Sequence, residues 1–173
     1  MPASSTHKAA SAQALAQSFS VWLSDSALPN PQVPRTAPYF STHQTAIFLD
    51  TSSAVQLIRT GLRAGNVGAL VPLLGLRKKD DLSHALNANS TSLWRWARDN
   101  KPLPGSTVEQ ILRAMDLQLF AADVFGGVEA AREWLQKPHT GLDGLTPSDY
   151  ADNAFGVQKV RGMLAGLKYG GVA

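Results

Sequence analysis

Between Ser106 and Phe125 the apolar residues Val108, Ile111, Leu112, Met115, Leu119 and Phe120 recur at spacings of three and four. Only a helix puts that set on one side of the backbone, so a long amphipathic helix has to find apolar partners around it. Much of the chain from residue 51 onward repeats the pattern. Ser53 is placed to cap a helix through Gly61, with Val55, Ile58 and Leu62 on its apolar face. The run 66–74 ends at Gly75, a helix stop, and Lys78–Leu86 turns Leu82, Ala85 and Leu86 to one side. No Asn-Gly turn and no sustained alternation speaks for strands. The predicted fold class is all-α.

The chain has 173 residues, of which 44% are hydrophobic and 17% charged. That is enough apolar material for a core and too little charge for a disordered chain. Without cysteine there is no disulfide framework, zinc-thiolate site, iron–sulfur cluster or thiol nucleophile. The residues after Lys8 are too polar for a secretory signal, and the longest apolar run, around Pro72, is too short to span a membrane. A cytoplasmic location with no membrane partner is expected. Residues 1–50 read as an N-terminal arm and linker, flexible and rich in Ala, Ser and Gln, with four of the ten prolines between Pro29 and Pro38. Within it a short helix over Ala9–Leu23 repeats Leu15, Phe19, Trp22 and Leu23 at helical spacing, which suits docking onto the rest of the molecule. The expected division is 1–50 as arm, 51–125 as one domain and 126–173 as a second.

The formal net charge of +3 is concentrated in the middle of the chain. Residues 51–125 hold nine bases against six acids, while both flanking segments are neutral. There, Lys78–Leu86, a turn over Asn87–Asn89 and a second short helix over Ser90–Arg98 form a helix-turn-helix pattern. Leu93 and Ala97 face inward on the second helix. Thr91, Arg95 and Arg98, at i, i+4 and i+7, share an outer face where arginine can read guanine or grip phosphate. Ser90, Thr91 and Ser92 can contact phosphates or base edges. Lys78 and Lys79 stand where the helix dipole would prefer acids, which a DNA phosphate would explain. The candidate DNA-binding residues are therefore Lys78, Lys79, Ser90, Thr91, Ser92, Arg95 and Arg98. The bland alternative is a solvated face in a plain helical bundle.

A search for catalysis finds little. His7, His43, His84 and His139 show no ligand spacing, so no metal site is expected. Asp80 and Asp81 are adjacent rather than opposed and read as first-turn acids of a helix. Neither Gly126–Gly127 nor Gly170–Gly171 leads into a phosphate-binding loop. No cofactor and no enzyme activity is expected.

The last third is the most specific part of the chain. It runs through Ala122, Phe125-Gly126, Ala130-Ala131, Trp134-Leu135, Pro138, Leu142, Gly144, Thr146-Pro147, Asp149, Gly156, Val160, Leu164 and Tyr169-Gly170. This series resembles the toxin-binding domain of Xre/MbcA/ParS-type antitoxins, which in that family follows an Xre-like helix-turn-helix. The resemblance implies an antitoxin whose partner is a cognate toxin, typically a RES-domain enzyme that consumes NAD or ADP-ribosylates a protein. It implies inhibition by covering the toxin's active site with the C-terminal segment, here Lys168, Tyr169, Gly170, Gly171, Val172 and Ala173, with Trp134 in the same toxin-binding set. It also implies repression of its own operon, by binding the promoter DNA as a homodimer within a hetero-oligomeric complex. Two positions depart from the family's pattern: Thr91-Ser92 replaces a usual Arg-Thr, and Asn153 replaces a usual threonine cap. The alternative is a stand-alone helix-turn-helix regulator without a toxin.

Overall fold

The computed structural model describes residues 3–29, 39–43 and 46–170. Its long central helix, α6 (Gly105–Phe125), is the one its apolar spacing predicts. Val108, Ile111, Leu112, Met115 and Leu119 are all buried, and the helix ends where Gly126 takes the left-handed conformation at φ 78°. A residue with a Cβ would be strained at that turn. Around α6 are arranged α1 (Ala3–Ser26), a two-stranded antiparallel hairpin β1 (Phe40–His43) and β2 (Ala46–Leu49), and α2 (Thr51–Thr60). Then follow α3 (Leu70–Leu73), α4 (Lys79–Ala85) and α5 (Ser90–Arg98), all before α6. After it come α7 (Val128–Gln136), the one-turn α8 (Pro147–Tyr150) and α9 (Ala154–Tyr169). The chain is mostly helical, and a single apolar core runs from Ala12 to Leu164.

Three local expectations are corrected. The segment read as a flexible arm contributes Ala12, Leu15, Ala16, Phe19, Trp22, Leu23 and Tyr39 to the core. The helix is longer than expected, and Phe19, Trp22 and Leu23 on α1 are buried. Trp22 donates its indole N–H to the Asn66 carbonyl at 2.8 Å, and Leu28 and Arg63 exchange backbone bonds with Gly61 and Ser26. Burial of this aromatic face offsets the conformational entropy lost in ordering the helix. Residues 30–38, where most of the proline-rich linker was read, lie outside the described residues.

The hairpin is the second correction, since no strand was expected. Phe40 pairs with Leu49 and Ser41 with Phe48, and Leu49 donates its N–H to Asp116 on α6 at 3.2 Å. Four-residue strands are too short to show alternation, and this pair is tied to α6 through the Leu49–Asp116 bond.

The third correction concerns the start of α2. Asp50, not Ser53, is its N-cap, accepting from the Ser53 N–H at 2.8 Å. That bond, with one from the Ser53 hydroxyl, holds the Asp50 carboxyl below the usual carboxylate range. The helix consequently buries Ser53 and Leu57, leaving Val55 largely exposed.

Candidate functional site

Two surfaces carry the residues singled out in the sequence. The first is the α4–α5 pair. Leu82 and Leu86 from the first helix and Leu93 from the second are buried together. Asn87, in the left-handed region at φ 45°, turns the chain, and Asn89 caps α5 by accepting from the Ser92 N–H at 3.0 Å. Asparagine suits both positions, because its short amide tolerates a positive φ and bonds nearby backbone.

This packing leaves Thr91, Arg95 and Arg98 exposed on the outer side of α5, while Ser90 and Ser92 are half-buried. Lys78 and Lys79 are exposed at the start of α4. The backbone N–H groups of Arg77 and Lys78 are taken by the Asp81 carboxylate at 3.2 and 3.1 Å, so the first-turn acid has a structural job. Lys79 lies over the Trp94 ring with its ammonium 5.1 Å from the centroid. Arg98 is held by Asp99, Nε to Oδ1 at 3.0 Å. All seven sequence-selected residues thus fall on or beside one helix pair, with Arg95 and Lys78 in no ion pair among the described residues.

The second surface is the end formed by α6, α7, α8 and α9. Thr146 caps α8 by accepting from the Asp149 N–H at 3.1 Å, with Pro147 at the first helical position. Asn153 caps α9, its side chain accepting from the Phe155 and Gly156 N–H groups at 3.0 and 3.1 Å. The departure from threonine therefore keeps the cap. Gly156, Val160 and Leu164 are buried at successive turns of α9. Gly156 sits so near the Tyr150 carbonyl that a Cβ there would overlap it.

Two ion pairs tie α9 to α6: Arg161 to Asp116 and Lys168 to Asp123. Asp116 also receives the β2 N–H of Leu49, so one carboxylate joins the hairpin, the central helix and the last helix. Burial works against the Lys168 ammonium, but its hydrogen bond with Asp123 and that carboxylate's charge outweigh burial and hold its pKa above the ordinary lysine value.

Of the residues expected to meet a toxin, Tyr169 is 75% exposed and Gly170 closes α9 in the left-handed conformation. Lys168 instead turns toward α6. Trp134 is half-buried, stacked 5.5 Å from Phe125 and 4.9 Å from His139 between ring centroids, and it braces the α6–α7 corner. Gly171, Val172 and Ala173 lie outside the described residues. The sequence reading missed Asp116, Asp123 and Arg161. It also missed Phe155, which is 85% exposed at the start of α9. A large aromatic just after a cap is the one signal that could have flagged it.

The α4–α5 turn and α8 face each other across a polar cleft lined by Ser83, His84, Asn87, Asn89, Ser148 and Asp149. His84 Nδ1 and Asp149 Oδ1 approach to 3.3 Å across it. Among the described residues no three His, Cys, Asp or Glu are grouped to hold a metal, and no helix is long and apolar enough to cross a membrane.

Residues 120–170 match the family model for the antitoxin Xre/MbcA/ParS C-terminal toxin-binding domain. The match begins near the end of α6 and takes in α7, α8 and α9. Residues 120–170 thus carry a domain of the antitoxin toxin-binding type, and such a domain implies a toxin as its partner. No curated protein matches it.

Proposed function

We propose that this antitoxin neutralises a RES-type toxin by laying its C-terminal segment over the toxin's active site. In the same reading, α4 and α5 bind the promoter DNA of the chain's own operon and repress it. The match of residues 120–170 to a toxin-binding domain carries the reading, because that domain ends in an exposed tyrosine on a helix pinned to the core. Covering an active site requires a firm base and a reachable end, and no catalytic group. The Asp116–Arg161 and Asp123–Lys168 pairs supply the base, so Lys168 acts as an anchor and the covering segment starts at Tyr169. NAD is then the toxin's substrate and not a cofactor of this chain.

The DNA half draws its support from the exposed Arg95 and Arg98 and from the lysines at the start of α4. A homodimer within a hetero-oligomeric complex would present two copies of α5 to adjacent half-sites, in the cytoplasm where both toxin and operon reside. The test is co-expression with the adjacent reading frame, followed by purification through a tag on this chain and intact-mass measurement. A stoichiometric partner that drains cellular NAD when expressed alone is the expected result. A toxic partner that leaves NAD untouched removes the NAD-consuming class, and no partner at all leaves the stand-alone regulator. Deleting residues 169–173, which spares the Lys168 anchor, should then abolish neutralisation without changing the melting temperature. Full protection by that truncated chain overturns the covering mechanism.

A further inference from the structure

We propose that Asp99 is an internal counter-ion that a DNA phosphate displaces, and that it thereby sets the strength and salt sensitivity of duplex binding by the α4–α5 surface. The inference rests on the DNA-binding reading above and names what tempers it. Asp99 is the C-cap of α5. A carboxylate at that end meets the negative pole of the helix dipole, so its position opposes the helix rather than supporting it. Among the described residues no backbone N–H donates to its side chain. Asp81 on α4 is different, since it is occupied by the N–H groups of Arg77 and Lys78.

What Asp99 gathers is positive charge. Its Oδ1 takes the Arg98 Nε at 3.0 Å and its Oδ2 lies 3.9 Å from the Lys101 Nζ. Arg95 lies one turn back on the same helix. Arg63 donates to the neighbouring Asn100 carbonyl at 3.3 Å. The Arg98 hydrogen bond, with the charges of Arg98, Lys101 and Arg95, holds the Asp99 carboxyl below its ordinary range. Three cations therefore act on one acid at the end of the helix whose outer face is the candidate DNA reader.

The geometry suits exchange. The Arg98 side chain is 75% exposed, and a pair so open to water is weak enough to give way. A phosphate offers the guanidinium fork the same charge-assisted bonds as a carboxylate. While Asp99 remains beside the bound strand it repels the backbone whatever the sequence. It therefore weakens every duplex alike and steepens nothing in base readout. This acid thus restrains non-specific binding by a chain whose surplus charge lies in the same segment.

The test uses the full chain with two labelled duplexes, one spanning the region upstream of its own reading frame and one with that sequence scrambled. Asp99→Asn should bind both about threefold more tightly at low salt, the scale of one unit charge near a phosphate in water. The slope of log affinity against log salt should steepen by up to about 0.9, one further phosphate contact. In an Arg98→Ala background the gain should shrink. Asp99→Ser, with the same expected result and a melting curve alongside, guards against a folding defect in the first variant. Wild-type binding with no change in affinity or slope on replacing Asp99 overturns the inference alone. A gain that survives intact in the Arg98→Ala background overturns the exchange. Failure of every form to bind either duplex at low salt overturns both the inference and the reading beneath it.

Discussion

The two candidate surfaces use positive charge in opposite ways. Along α9, Arg161 and Lys168 reach back to α6 and are held by Asp116 and Asp123. Along α4 and α5, Lys78, Lys79, Arg95 and Arg98 are exposed, and among the described residues the one acid that pairs with any of them is Asp99. The difference teaches how to read a basic residue in a small helical protein. A half-buried cation with a carboxylate from another helix belongs to the fold, whereas an exposed one on a short helix is available to a partner. Four substitutions would break or sharpen that contrast.

The largest effect is expected from Leu164→Ala in the α6–α9 seam. Removing a fully buried leucine side chain should cost about 3 kcal/mol or more, read by urea unfolding. Gly156→Ala should cost roughly 3 kcal/mol by a different route, because its Cβ would overlap the Tyr150 carbonyl and force α8 and α9 apart. If thermal melting finds that variant as stable as the wild type, the corner is looser than described.

Asp123→Asn is the intermediate case. It leaves Lys168 largely buried without its counter-charge and should cost about 1 kcal/mol. Its pH dependence has a definite sign. The Lys168 pKa is raised in the folded chain, so the pair's contribution is fully present below the ordinary lysine pKa of about 10.4 and is lost as pH rises through the folded value. The stability gap between wild type and Asp123→Asn should be constant near neutrality and close only in strong alkali. A gap that closed toward acid instead, above the carboxylate range, would contradict this pairing.

The smallest stability effect is expected from Arg95→Ala, within about 0.5 kcal/mol, since this side chain is exposed and forms no ion pair among the described residues. The same change should lower affinity for the operator by about 1–3 kcal/mol if Arg95 reads a base. An equal loss on scrambled DNA would make it a phosphate contact.

What could be read in the sequence was local. Asn89, Thr146-Pro147, Gly126 and Gly170 each mark a helix end through chemistry confined to a few neighbouring residues, and each stands at the end it marks. The spacing of Phe19, Trp22 and Leu23 announced an apolar face, and docking was its expected use. That Phe19 and Trp22 would enter the core depended on Phe40 and Asn66 being there to receive them. Asp116 and Asp123 looked like ordinary acids of a long helix, because their partners lie 45 residues away and meet them only after α9 has folded back. The strand pair was illegible for the same reason, since its tie to Asp116 on α6 spans 67 residues. For the candidate sites, the exposed residues of α5 followed from helical periodicity. The inward turn of Lys168 did not, since nothing in its neighbours shows which way the last turn of α9 faces.

The separation of 45 is the same for both ion pairs, and on each helix the two charges are seven residues apart. Equal offsets in the same direction mean that α6 and α9 run side by side in parallel, with rungs two turns apart. Such a ladder works like a vernier with two marks. Sliding α9 by one or two residues matches neither mark, and the next alignment comes only after a full heptad, about 10.5 Å along the axis. That distant alignment would set Arg161 against Asp123 and leave Asp116 and Lys168 without each of their mates. The position of Tyr169, and so the reach of whatever follows it, is consequently quantised: small strains on the last helix are absorbed without changing where the chain's end begins.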